Sequence, residues 1–210
     1  MYSAEISRTN PTAYLFVVDQ SASMNDPMTN GESKASFVAD VVNKTLRDLV
    51  IRCTREDGVR DYFDVGIITY SNRDVKNGLP ASLSSDWLAP ISAVADNTTR
   101  VEDRNRQVDD GAGNLVDQVF KFPVWLDAHG YGGPPMQAAI AQAAHVIAEW
   151  SDTHPSSFPA TVLHITDGES NDGGPENNAE VLRSLTAQDG ATLLYNIHVT
   201  DENVEPLRFP

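Results

Sequence analysis

Two short stretches of the chain gather small oxygen-bearing side chains where an apolar run stops. Residues 15–24 read LFVVDQSASM, and residues 164–172 read HITDGESND. In the first, Asp19, Ser21 and Ser23 follow one another at i, i+2 and i+4. A loop leaving a strand lets all three turn toward one point, whereas a helix would send the i+2 side chain to another face. In the second stretch, Asp167 follows an apolar run of the same kind. Two carboxylates and two hydroxyls are hard oxygen donors, the set preferred by Mg²⁺, Mn²⁺ or Ca²⁺. The candidate metal ligands are Asp19, Ser21, Ser23 and Asp167, with Mg²⁺ the first choice of ion. Beyond them, Glu169, Asn171 and Asp172 either tune the ion from outside its ligand shell, line a partner surface, or are simply solvated.

Other chemistries find less support. GYGG at 130–133 lacks both the trailing Gly-Lys-Ser/Thr of a P-loop and the GxGxxG of a dinucleotide site. The five histidines, at 129, 145, 154, 164 and 198, show no spacing suited to zinc. His164 and His198 read as satisfied core residues of strands, and His129 lies in the loop expected to face the metal site. No Gly-x-Ser-x-Gly elbow or Cys/His pattern supports a nucleophile. A phosphatase of the haloacid-dehalogenase type would carry an aspartate at position 21, where this chain has serine. No catalytic residue is assigned. Cys53 is the single cysteine, so it cannot form an internal disulfide and reads as a small buried apolar side chain.

These residues need elements to position them. AYLFVV (13–18) is continuous rather than alternating, the pattern of a central parallel strand covered on both faces. From Lys34 to about Arg52, Phe37, Val38, Val41, Val42, Leu46, Leu49 and Val50 recur at spacings of three and four and predict an amphipathic helix. YFDVGIITYS (62–71) predicts a second buried strand, and the Asn-Gly of VKNGL (75–79) begins or caps a short edge strand. A proline-led, alanine-rich helix is expected over 134–150, a buried strand at 160–166, a modest helix over 176–187 and a final buried strand over 191–199. The segment from about 80 to 133 mixes the charged VEDRNRQVDDG with the weakly amphipathic LVDQVFKF and gives no clear pattern. Strands alternating with helices imply parallel pairing through right-handed crossovers. The expected fold is α/β, Rossmann-like and three-layered, with a mostly parallel central sheet, one antiparallel edge strand and helices on both faces. In such sheets ligands gather at the carboxyl ends of the strands, where Asp19 and Asp167 both fall.

Length and charge agree with that picture. The 210 residues, 40% of them apolar, suffice for one domain over 13–210 behind a short segment at 1–12. Thirty acidic against fifteen basic residues give a net charge of −15, which repels nucleic acid and anionic membranes and attracts cations. No signal peptide is evident in MYSAEISRTNPTA, and no window approaches the length of a spanning helix. The expectation is a soluble cytoplasmic protein.

DQSASM with ITDGESND downstream resembles the metal-ion-dependent adhesion site (MIDAS) of a von Willebrand factor A (vWA) domain. The likeness runs from about 13 to 199. The resemblance implies an Asp-x-Ser-x-Ser element, matched by Asp19, Ser21 and Ser23, a threonine in a loop before a helix, and an aspartate after a later strand, matched by Asp167. The middle element departs: where the family commonly has Gly-Gly-Thr-Pro-Met, this chain reads GGPPM at 132–136, with Pro134 in place of the hydroxyl. The family uses such an ion to dock a carboxylate of a protein partner rather than to catalyse. FPVW at 122–125, the helix ending in Trp150 and the NIHV strand resemble bacterial cytoplasmic vWA proteins associated with tellurite resistance, which implies partners linked to kinases or phosphatases. The resemblance also implies a further helix and strand beyond ENVEPLRFP (202–210). Two other readings stand beside the interaction module: a metal-independent scaffold with a degenerate MIDAS and, with less support, a metal-assisted hydrolase.

Overall fold

The apolar run at 13–18 forms the centre of β1 (Thr12–Asp19), with Leu15, Phe16 and Val17 all buried. The computed structural model describes residues 2–109, 111, 113–168 and 170–200; the Glu169 reading and the segment at 202–210 lie outside them. After β1 come a 3₁₀ turn (Ala22–Asn25), α1 (Lys34–Cys53), β2 (Phe63–Ser71) and β3 (Asp74–Asn77). They are followed by α2 (Ile91–Asp96), a hairpin of β4 (Arg100–Asp109) and β5 (Leu115–Val124), α3 (Met136–Thr153), β6 (Thr161–Thr166), α4 (Glu176–Ser184) and β7 (Leu193–His198).

The main sheet has the order β7-β6-β1-β2-β3, with β7, β6, β1 and β2 parallel and β3 antiparallel. The two-residue stretch Ala89–Pro90 adds an antiparallel pairing to β2. Side-chain alternation along β1 sorts the core into two layers. Phe16 and Val18 pack with Val38, Val42 and Leu46 of α1 and Ile91 and Val94 of α2. Ala13, Leu15 and Val17 pack with Ala139, Ile140, Ala143 and Ile147 of α3 and Leu182 of α4. The fold is therefore the expected three-layer α/β arrangement. Because β1 is followed by a helix on one face and β6 by a helix on the other, these two adjacent strands form the switch point of the sheet, and their carboxyl ends mark its ligand crevice.

Several expectations are corrected. The strand at 191–199 is not buried: β7 is the edge of the sheet among the described residues, and Tyr195 and Ile197 are 51% and 42% exposed. An edge strand has one neighbour, so its apolar content does not guarantee cover. His198 is likewise exposed rather than in the core. On α1, Phe37 and Val41 face solvent, and the buried stripe includes a polar residue, Asn43. The helix over 176–187 ends at Ser184. Of the two places left open for it, the Asn-Gly pair takes the end of β3; the turn into β3 is made by Asn72 and Arg73, at φ 45° and 69°, the positive values that a tight two-residue hairpin requires.

The patternless segment contains the β4–β5 hairpin, a two-stranded sheet of its own. Its inner face is set by cation–aromatic contact rather than aliphatic alternation. The Arg104 guanidinium lies 3.7 Å from the Phe122 ring centroid and donates to both carboxylate oxygens of Asp40 on α1, at 2.8 and 3.0 Å. Cys53 is buried, as expected.

Candidate metal centre

Asp19 is the last residue of β1, and its carboxylate folds back to accept the backbone N–H of Ser21 at 2.8 Å. This Asx turn ends the strand. The 3₁₀ turn that follows is pinned by Met24, whose side chain is fully buried under α1. Fixing Met24 inward leaves Ser21 and Ser23 on the side of the turn nearer β6. Their Oγ atoms lie 3.2 Å apart, and the Ser23 hydroxyl donates to Asp167 Oδ1 at 2.8 Å. The four residues singled out from the sequence thus form one hydrogen-bonded cluster at the switch point.

Three further residues act around the cluster, of which Thr166 and Lys34 are not apparent from the sequence and Asp172 takes a role other than those expected of it. Thr166, the last residue of β6, donates its hydroxyl to Asp19 Oδ2 at 2.7 Å; its position beside Asp167 is the one available signal. Lys34 places its ammonium 2.9 Å from Asp167 Oδ2. Asp172 accepts the backbone N–H groups of Gln137 and Ala138 at 2.9 and 3.0 Å. It therefore supplies the helix cap that Pro135, at the α3 N-cap, lacks. Burial works against its ionisation, but the Ser170 hydroxyl and those two amides outweigh it and hold the carboxyl below the usual range. Asp172 is thus tied to the start of α3 rather than merely solvated.

The loop at 130–136 comes to the site as the resemblance implies. Tyr131 N–H donates to Gln20 O at 2.9 Å, Ala22 N–H to Gly132 O at 2.8 Å, and Asn171 N–H to Pro134 O at 3.3 Å. Glycine at 132 is required twice over: φ is +66°, and an added Cβ would lie 2.5 Å from that of Asn72. Pro134, however, brings only a backbone carbonyl. His129 is exposed and lines a narrow crevice that reaches Asp19.

The electrostatics suit a cation. Burial raises the Asp19 carboxyl above its ordinary range, against hydrogen bonds from Thr166 and Ser21, and the nearby Asp167 adds to the rise. Among the described residues no three His, Cys, Asp or Glu side chains form a metal-holding group. Any ion here must complete its shell with hydroxyls and water, which Mg²⁺, Mn²⁺ and Ca²⁺ accept and thiol-seeking metals do not. The donor set fits a hard divalent cation.

Behind the cluster a polar chain runs from the exposed Asn196 inward to the buried His164 and Tyr70. Asn196 Oδ1 lies 2.9 Å from His164 Nδ1, and His164 Nε2 lies 2.8 Å from the Tyr70 hydroxyl. With the Asn196 carbonyl accepting, Nδ1 carries the proton and Nε2 accepts from Tyr70. Burial lowers the His164 pKa to about 4. Its unfolded pKa is higher, so the unfolded chain takes up the proton first and stability falls as pH drops from about 6.5 toward 4. The stability advantage of wild type over His164→Gln should shrink by roughly 2–3 kcal/mol between about pH 7.5 and 4.5 in urea titrations; a pH-independent difference would contradict this assignment.

No protein-family model and no curated protein matches the chain. Among solved structures it is similar to the SpRpn10 VWA domain, with a TM-score of 0.36 at 9% identity over 91% of this chain and 90% of that one. It is also similar to the PilB minor pilin from Streptococcus sanguinis, with a TM-score of 0.37 at 11% identity over 90% of this chain and 57% of that one. Likeness of this degree says nothing about what the site binds. Among the described residues, no helix is long and apolar enough to cross a membrane.

Proposed function

We propose that the chain is a vWA-type interaction module. It would take a divalent cation, Mg²⁺ first, among Asp19, Ser21, Ser23 and Asp167 and use it to dock an acidic group of a protein partner. The observation that carries this reading is the convergence of two sequence-distant strand ends into one cluster of hard oxygens at the sheet's switch point. When bound, the ion would supply a Lewis-acidic position for the partner's carboxylate. The chain's own residues do the rest. Asp19 is oriented by Ser21 N–H and the Thr166 hydroxyl, Ser23 is oriented by Asp167, and the loop at 130–136 braces the turn from outside. Two neutral hydroxyls in the ligand set leave the ion more electrophilic than a carboxylate cage would. Neither a Gly-x-Ser-x-Gly elbow nor a Cys/His pattern accompanies the two serines, so docking rather than turnover is the activity proposed. A cytoplasmic setting and a partner connected to kinases or phosphatases rest on the sequence alone.

A metal-independent scaffold is the second reading, favoured by Pro134 at the position of the family's threonine. Calorimetric titration of Mg²⁺, Mn²⁺ and Ca²⁺ separates the two. The module predicts saturable binding by wild type that tightens roughly 10-fold in Pro134→Thr, about the value of one good oxygen contact. Absence of binding in both proteins would leave the scaffold.

A further inference from the structure

Lys34 is the first residue of α1, and the first turn of that helix contains no acidic residue. A cation there opposes the positive end of the helix dipole, where carboxylates are favoured. A break in a local rule calls for compensation elsewhere, and Lys34 finds it in the candidate site. Its ammonium is 2.9 Å from Asp167 Oδ2, with the two side chains only 16% and 1% exposed. The other oxygen of the same carboxylate accepts the Ser23 hydroxyl. Lys34 is therefore joined to the oxygen cluster through one of its proposed metal ligands.

We infer that Lys34 is a tethered cation of the site, which neutralises Asp167 before an ion arrives and must release it when a divalent cation loads. This rests on the metal-binding reading above. A divalent ion held by Asp167 would compete with the ammonium for the charge of that one carboxylate, and its own charge would repel an ammonium left beside it. The lysine has somewhere to go: Asp26 Oδ2 lies 4.0 Å from Nζ on a side chain 67% exposed. A rotation of the flexible lysine stem moves the ammonium outward with no change in the backbone. The exchange sets the site for weak, reversible loading and keeps the oxygen cluster assembled between loadings.

The test is calorimetric titration of Mg²⁺ and Mn²⁺ into wild type, Lys34→Met and Lys34→Arg, with thermal melts in chelator and in saturating Mn²⁺. Lys34→Met should bind either ion roughly 10- to 100-fold more tightly, the worth of a charge-assisted hydrogen bond no longer displaced, and Lys34→Arg should not. In chelator Lys34→Met should melt below wild type, and saturating Mn²⁺ should close the gap. If wild type binds and Lys34→Met binds no more tightly, the tethered cation is overturned and the metal-binding reading survives. If neither protein binds an ion, both are overturned. Lys34→Gln, which also removes the charge, carries the same expectations should Lys34→Met fail to fold.

Discussion

Asp19→Ala should abolish saturable binding of Mg²⁺, Mn²⁺ and Ca²⁺, and Asp19→Asn should do the same while melting above wild type in chelator. Asp19 is a buried carboxylate at the centre of the oxygen cluster. Residues that merely orient metal ligands are worth about 10- to 100-fold in affinity, so loss of a direct charged ligand should exceed ~100-fold. The stability effect runs the other way. Burial raises the Asp19 pKa above its unfolded value, with Asp167 adding repulsion. A carboxyl shifted in that direction costs stability whenever it is ionised, fully above its folded pKa, and the cost is relieved as pH falls through that value. Asparagine removes the charge and keeps an oxygen for the Ser21 N–H, so at neutral pH it removes the cost. Isothermal titration checks the binding and a thermal melt the stability. An Asp19→Asn variant that still bound ions at wild-type affinity would place the metal elsewhere, and one that melted lower would show that the carboxylate charge stabilises the fold.

Asn43→Leu should cost about 3–5 kcal/mol of folding stability, the largest single-residue loss expected outside the apolar core. Asn43 is 1% exposed on α1. Its side-chain oxygen accepts the backbone N–H groups of Trp125 and Leu126 at 2.8 and 3.0 Å, and its amide donates to Leu126 O at 2.8 Å. Leucine fills the volume but leaves two donors and one acceptor buried without partners, each worth roughly 1–3 kcal/mol. The same turn is anchored by the Trp125 indole, which donates to Val94 O at 2.7 Å. Residues 125–126 lead from β5 into the loop that braces the metal site, so ion binding should weaken along with stability. Urea denaturation gives the first quantity and calorimetry the second. A loss below about 1 kcal/mol would mean that the turn finds other partners.

These two residues differ sharply in how legible they are from sequence. Asp19 stands out because a continuous apolar run ends on it and two serines follow at a loop's spacing. Asn43 is hidden because its neighbours on α1 form an apolar stripe, and a polar residue inside such a stripe has no local sign of the backbone groups it will meet more than eighty positions later. Phe37 and Val41 show the converse error. They belong to the helical period, but the sheet reaches only part of the helix circumference. The β4–β5 hairpin is illegible for a related reason. Its inner face relies on Arg104 stacked on Phe122 and paired with Asp40, and charged residues in alternation look like solvent-exposed coil until the partner strand and helix are in place.

By itself the sequence determined the layered α/β class, through continuous apolar strands alternating with amphipathic helices, and the four oxygen-bearing residues of the candidate site. Both are local properties: side-chain period follows backbone geometry, and donor type follows atom type. Only the tertiary structure decided that β7 lies at the edge, that Thr166 holds Asp19, that Asp172 caps α3 and that Lys34 reaches Asp167. Each of these depends on which distant backbone or charge arrives beside a residue. That is set by strand order and helix packing across the whole sheet, which short-range spacing does not encode.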